Sequence, residues 1–324
     1  MKPFKSFLAP KLEEFLAYRQ NLGYALETHR EHLLILDRYL MEKNAGWHSL
    51  QPAFFLEMRA NLKLGASSVN AILSATRTFF QFLVRRGYYK ENLLRDIPRL
   101  KQNTIVPFVF SAEQIDQFLD AVCKRFHRTK GHFLKELASY TTMLLLARCG
   151  MRIGEPLRLK THHYRLDDAT IYIERTKFCK DRLIPLPKCV VTQIENYLSV
   201  RKSMLRDDQS PYLLVQGNHR PLSDFQLRRL FHIALEDIGL EQPRRVIGNV
   251  SFLQPTPHSL RHSFAVNTLL KIRERGGSPQ HALPVLAAYM GHSEYKYTSV
   301  YLRVSDAISR KNLVDFALWQ IREQ

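Results

Sequence analysis

The sequence predicts a mainly α protein in two parts: an N-terminal helical bundle, and a C-terminal, mostly helical domain that carries a small antiparallel β-sheet. Three observations carry this expectation. Apolar residues recur at helical spacing through residues 1–97. A polar, basic stretch bracketed by Pro98 and Pro107 then breaks the pattern. Beyond it helical runs resume, and only two short β-like runs appear, on either side of a polar turn. With 324 residues there is chain enough for two cores. The expected division is 1–97, a linker at 98–109, and 110–324.

Taken in order, Leu8, Leu12, Phe15 and Leu16 mark a first helix, and Leu33, Leu34, Leu36 and Leu40 a second. Thr28 with Glu31 three residues on reads as a start signal for that second helix. Trp47 to Pro52 is a break. Phe54, Phe55 and Met58 open a third helix that stops near Gly65. Ser67 to Asn70 is expected to cap a fourth, with Ile72, Leu73, Phe79, Phe80 and Leu83 inside and Arg77, Arg85 and Arg86 outside. The aromatic residues fit a core better than a base-stacking surface. In the second part, Ser111 to Gln114 caps a helix. Leu134 to Leu146 is a long apolar helix ending at Cys149-Gly150. Residues 171–173 and 183–186 read as strands, and helices resume near Val190, Ser223 and Pro257.

Lys and Arg total 48 against 30 Asp and Glu, a net charge of +18 spread along the chain. A folded domain this basic most often faces nucleic acid. No stretch is long and apolar enough for a membrane span, and no signal peptide is evident. Cys123, Cys149, Cys179 and Cys189 show neither zinc-site nor disulfide-framework spacing, which fits a cytoplasmic protein. No metal and no cofactor is expected.

Chemistry concentrates between Pro257 and Val304. His258 and Arg261 are three apart and share a face of any helix begun by Pro257. A guanidinium can grip two phosphate oxygens, and an imidazole beside it can donate a hydrogen bond or move a proton. Arg152 follows a glycine turn, with Glu155 three residues later. Lys177 sits in the turn between the two β-like runs, and His292 follows Gly291. Tyr301 has rivals in Tyr295 and Tyr297. Singly, each of these has an ordinary structural explanation.

Together, in this order and spacing, they resemble the tyrosine recombinases, also called the phage integrase family. Residues 149–155 look like that family's first arginine box, and residues 257–265 are very close to its second. Met290-Gly291-His292-Ser293, followed by Tyr301 nine residues after the histidine, matches the third histidine and the nucleophile. Thr176-Lys177 resembles the lysine turn of the family's β-hairpin. Two departures stand out: the 34-residue interval from His258 to His292 is long, and aromatic residues crowd the tyrosine segment.

The resemblance implies a SAM-like core-binding domain followed by a catalytic domain, clamped on double-stranded DNA. It implies that Arg152 and Arg261 hold the scissile phosphate and that His258 and His292 add hydrogen bonds, His258 with a possible role as base. Tyr301 would attack phosphorus to give a 3′-phosphotyrosyl enzyme, and Lys177 would protonate the leaving 5′ oxygen. Glu155 would be structural, and Lys180 and Arg182 would be phosphate contacts or hairpin charges. Tyr297 is the second choice of nucleophile. A homotetramer on paired sites, helped by accessory proteins, would perform integrase- or transposase-type recombination, and the apolar C-terminal residues would dock on a neighbouring copy or on their own domain. A topoisomerase-like nicking-rejoining enzyme and a non-catalytic DNA-binding accessory protein are the rivals.

Overall fold

The computed structural model describes residues 2–127, 130–174, 181–205, 208–292 and 298–306. The chain divides into two compact units, Met1–Asn103 and Thr104–Gln324. The N-terminal unit holds four helices among its described residues: α1 (Ala9–Asn21), α2 (Glu27–Glu42), α3 (Pro52–Asn61) and α4 (Ala66–Arg85). Helix α4 is strongly amphipathic and carries the core. Phe79 and Phe80 are fully buried on it, with Phe79 edge-on to Phe15 at 5.5 Å and Phe80 edge-on to Phe55 at 5.0 Å. Phe15, Phe55, Phe79 and Phe80 are core, as their spacing predicts, whereas Tyr24, Trp47 and Tyr88 are exposed.

Three local expectations fail here. Helix α2 begins at Glu27 with no side-chain cap, so Thr28 and Glu31 lie inside it. Helix α4 begins at Ala66 after an extended Gly65, and Ser67 to Asn70 form its first turns rather than its cap. Asn70 faces inward instead, where its amide donates to Leu100 O and accepts from Leu100 N, tying the chain after α4 back onto the bundle. Arg77 is no surface cation: its guanidinium donates to the Leu94 and Ile97 carbonyls, each at 3.0 Å.

The second unit is built on helices α5 (Ala112–Lys124), α6 (Lys130–Cys149), α7 (Lys188–Met204), α8 (Asp224–Asp237), α9 (Pro257–Glu274) and α10 (Pro279–Met290), with a last helical segment at 298–306. Ser111 caps α5 in a capping box with Gln114, as the sequence suggests. A first sheet is antiparallel throughout: β2 (Tyr164–Arg165), β3 (Thr170–Ile173) and β4 (Arg182–Pro185), with Ile173 opposite Arg182. A second sheet was not foreseen. It joins β1 (Thr104–Val106) in parallel to β6 (Val250–Phe252), which pairs with β5 (Arg245–Ile247) across a turn where Gly248 has φ +57°. Strands of three residues are too short for alternation to reveal. The stretch read as a linker thus contributes a strand to the second unit.

Helix α6 is the buried axis of this unit and packs on α7 and α9. It stops at Gly150, whose φ of +58° suits glycine and reverses the chain. Glycine is needed there twice over, because a Cβ would run into the Phe264 ring of α9. Gly150→Ala is therefore expected to destabilise the protein by about 2–4 kcal/mol, combining left-handed strain with overpacking. Urea unfolding of wild type and variant measures it, and a change below about 0.5 kcal/mol would contradict the close approach of α6 and α9.

Candidate active site

The end of helix α10 organises the candidate site. Its last carbonyls lack helical partners and carry the negative end of the helix dipole. Three successive ones are each taken by a different arginine. Arg182 Nε donates to Tyr289 O at 2.9 Å, Arg261 Nη2 donates to Met290 O, and Arg152 Nη2 donates to Gly291 O at 3.2 Å. Gly291 closes the helix with φ +62°, and a Cβ there would press on the Arg182 side chain. Arg152 comes from the turn after α6, Arg182 from the first residue of β4, and Arg261 from the second turn of α9.

One carboxylate balances this charge. The Glu155 side chain is only 2% exposed; it accepts from Arg182 Nη1 and Nη2 at 3.0 and 2.8 Å, and from Arg152 Nη1 and backbone N at 2.9 and 2.8 Å. Burial by itself would raise its pKa, but the Arg182 hydrogen bonds and charge, then the Arg152 backbone bond, outweigh burial and hold it below the ordinary value. It is ionised at neutral pH. Arg261 is 1% exposed and also donates through Nη1 to Gly150 O at 2.6 Å. Burial, and next the neighbouring Arg152, push its pKa down to about 9, so it too stays charged at neutral pH. Arg152 keeps a quarter of its side chain exposed. Three guanidiniums against one carboxylate leave the cluster positive and open on the Arg152 side, a setting for an anion.

The histidines stand in that positive field. His292 Nδ1 is 2.8 Å from Thr298 Oγ1, and its Nε2 is 3.2 Å from Arg261 Nη2. An arginine only donates, so Nε2 accepts, and the proton of the neutral ring lies on Nδ1, facing Thr298. Burial first, and then Arg261 and Arg152, push the His292 pKa down to about 4. His258, at the start of α9, is exposed but crowded by protein on one side; that crowding, and then Arg261 and Arg152, hold it below its ordinary value. Its ring meets that of His262 edge-on at 4.5 Å.

Tyr301 lies on the 298–306 segment and is 4% exposed, packed with Ala265, Val266 and Leu269 of α9 and Leu283, Leu286 and Met290 of α10. Its ring is 6.2 Å from that of His292, and its hydroxyl is 3.0 Å from His262 Nδ1. Burial raises the phenol pKa, while Arg261 and Arg152 pull against that rise.

The structure thus brings together Arg152, His258, Arg261, His292 and Tyr301, from segments up to 149 residues apart. Lys177, Lys180, Tyr295, Tyr297 and the apolar C-terminal residues after 306 lie outside the described residues. The strands that flank the Lys177 turn end beside the cluster, since Arg182 begins β4. Arg182 itself corrects an expectation. At 7% exposure and bonded to Glu155 and Tyr289, it is a buried cross-link rather than a hairpin charge. Sequence reading also missed His262 and Thr298. Each lies inside a singled-out segment, yet which of its polar residues turn inward is decided by packing.

Known proteins match this chain in sequence and in fold. The model of the phage integrase family matches residues 109–307, and that of the phage integrase N-terminal SAM-like domain matches residues 12–87. Tyrosine recombinase XerA of Pyrococcus furiosus is 25% identical over 319 residues, covering 96% of this chain and 97% of its own. The fold is shared with the Tn1549 transposon integrase in complex with circular intermediate DNA, at TM-score 0.66 and 17% identity, covering 92% of this chain and 95% of that one. It is shared too with a lambda integrase tetramer bound to a Holliday junction, at TM-score 0.63 and 17% identity, covering 91% and 76%. The chain belongs to the phage integrase family: it is a tyrosine recombinase, an enzyme of site-specific recombination that cuts and rejoins DNA strands through a tyrosine intermediate.

Proposed function

We propose that Tyr301 is the nucleophile and that the arginine cluster at the end of α10 is its phosphate site. One observation carries this reading: the hydroxyl-bearing segment and the guanidiniums of Arg152 and Arg261 meet at one helix end, with His292 bonded to Arg261 and its ring 6.2 Å from that of Tyr301. In this reading a scissile phosphodiester lies on the exposed side of Arg152. Arg152 and Arg261 hold its non-bridging oxygens and stabilise the charge that grows as phosphorus becomes pentacoordinate. His258 and His292, both neutral, donate to the same oxygens. Tyr301 Oη attacks phosphorus, the P–O5′ bond breaks, and a 3′-phosphotyrosyl link forms. Lys177 gives the departing 5′ oxygen its proton. A 5′ hydroxyl from another strand then reverses the step, so the phosphodiester bond energy is conserved.

For His292 to donate through Nε2, the ring proton must leave Nδ1. A hydroxyl partner permits this, because Thr298 can accept from Nδ1 in one tautomer and donate to it in the other. The neighbour that is a lambda integrase tetramer bound to a Holliday junction supports our reading of the assembly. The duplex is held by a basic surface that accounts for the net charge of +18, and a homotetramer on paired sites carries out strand exchange. We place the enzyme in the cytoplasm with its DNA, where accessory proteins would assist it.

A DNA substrate nicked just 3′ of the cleavage phosphate traps the covalent intermediate. Wild type and Tyr297→Phe should give a protein–DNA band on a denaturing gel, and Tyr301→Phe none. A band that persists in Tyr301→Phe and disappears in Tyr297→Phe would move the nucleophile. Thr298→Val should slow cleavage about 2- to 12-fold at unchanged DNA affinity, the worth of one hydrogen bond, and Thr298→Ser should restore it. Equal rates for valine and serine would remove Thr298 from the mechanism.

A further inference from the structure

Among the described residues, His262 is the group hydrogen-bonded to the Tyr301 oxygen. Its Nδ1 lies 3.0 Å from the hydroxyl, whereas His258, one turn back on α9, meets the His262 ring edge-on and no hydrogen bond links it to the tyrosine among the described residues. A buried phenol needs a hydrogen-bond partner, and a backbone carbonyl would serve for packing alone. An imidazole adds the capacity to hold a proton. In the tautomer with its proton on Nε2, His262 Nδ1 accepts from the phenol.

We infer that His262 is the general base that takes the proton of Tyr301 as it attacks the DNA. This rests on Tyr301 being the nucleophile, as proposed above. The Oη–H bond breaks and its proton passes to Nδ1; the Oη–P bond forms; the P–O5′ bond breaks; the 5′ oxygen takes its proton from Lys177. His262 gains one proton and Lys177 loses one. Rejoining returns both: the incoming 5′ hydroxyl gives its proton to Lys177, and His262 hands its proton back to the released phenolate. No further reactant is required.

The surroundings suit this task. His258 and Arg261 face His262 from its own helix, His292 from the end of α10, and Tyr301 from the 298–306 segment. Burial first, and then His258, Arg261 and His292, hold the His262 ring well below its ordinary pKa, so it is neutral and able to accept at any physiological pH. A phosphodiester seated on Arg152 and Arg261 offsets part of that positive field, so the basicity of His262 rises when the substrate is in place. The base is thus strengthened by DNA.

The test separates a base from a mere anchor. In His262→Asn an amide oxygen can accept from Tyr301 as Nδ1 does, but it cannot take up the proton. Cleavage would be followed with the nicked DNA and with a second substrate whose scissile 5′ oxygen is replaced by sulfur, a leaving group that needs no acid. DNA affinity and the thermal unfolding midpoint would show that the variant is folded. We expect cleavage about a hundredfold or more slower on both substrates. The wild-type rate should form a plateau above the His262 pKa and fall below it. That of His262→Asn should climb with pH and show no plateau, because hydroxide must then remove the proton. A His262→Asn rate within threefold of wild type would overturn the inference, as would a defect that the sulfur substrate cures, since that is the mark of a leaving-group acid. Tyr301→Phe run alongside distinguishes failure of the nucleophile reading: a covalent band there sinks both, whereas its loss with His262→Asn at full rate sinks only the base.

Discussion

Three guanidiniums on three consecutive carbonyls at one helix end are the constraint on which the second unit depends. Cations crowded together in the protein interior repel each other, and removing them from water is costly. Helix α10 answers with orphan carbonyls at its negative end, and Glu155 with the one formal negative charge bonded to them among the described residues. Each arginine therefore pins a different part of the fold to the same point: Arg152 the end of α6, Arg182 the β-hairpin, and Arg261 helix α9. Arg261 draws a further carbonyl from Gly150, just beyond α6, so two helix ends converge on it. The left-handed glycines at 150 and 291 are what let the two chains turn away with those carbonyls exposed.

The same field sets the protonation of everything nearby. His258, His262 and His292 are all depressed, burial (for His258, crowding on one side) being the first cause and neighbouring cations and imidazoles the next. Neutral imidazoles can donate from one nitrogen and accept on the other, which imidazolium cannot. The cluster thereby keeps its histidines in the form that can shuttle a proton while its arginines supply the charge. The cluster carries more positive than negative charge among the described residues, and in the proposed mechanism an incoming phosphate completes the balance.

The chain-level pattern was legible because it is local. Pro257 starting a helix, His258 and Arg261 one turn apart on it, a glycine ending α6 and another ending α10 all depend on neighbours in sequence. The apolar face of α4 and the Ser111 cap of α5 were legible for the same reason. Thr28 and Ser67 were misread as caps because a cap signal has the same spelling inside a helix as at its start, and tertiary packing chose the boundary. The β1–β6–β5 sheet was invisible because it joins residues about 146 apart, Thr104 to Val250, through strands of three residues.

The sequence by itself determined most of the helices, the antiparallel strand pair, the residue types of the site and their family, since each rests on short-range periodicity or spacing. Tertiary structure alone decided which polar side chains turn inward to meet them. Arg182 became a buried brace and not a surface charge because Glu155 and the Tyr289 carbonyl wait where β4 begins. His262, and not His258, reached the Tyr301 hydroxyl because the two lie on one face of α9 but one turn, about 6 Å, apart along its axis, and the turn of α9 that meets the 298–306 segment is fixed by packing of Ala265, Val266 and Leu269. Such contacts join residues remote in the chain, and nothing local in the sequence encodes them.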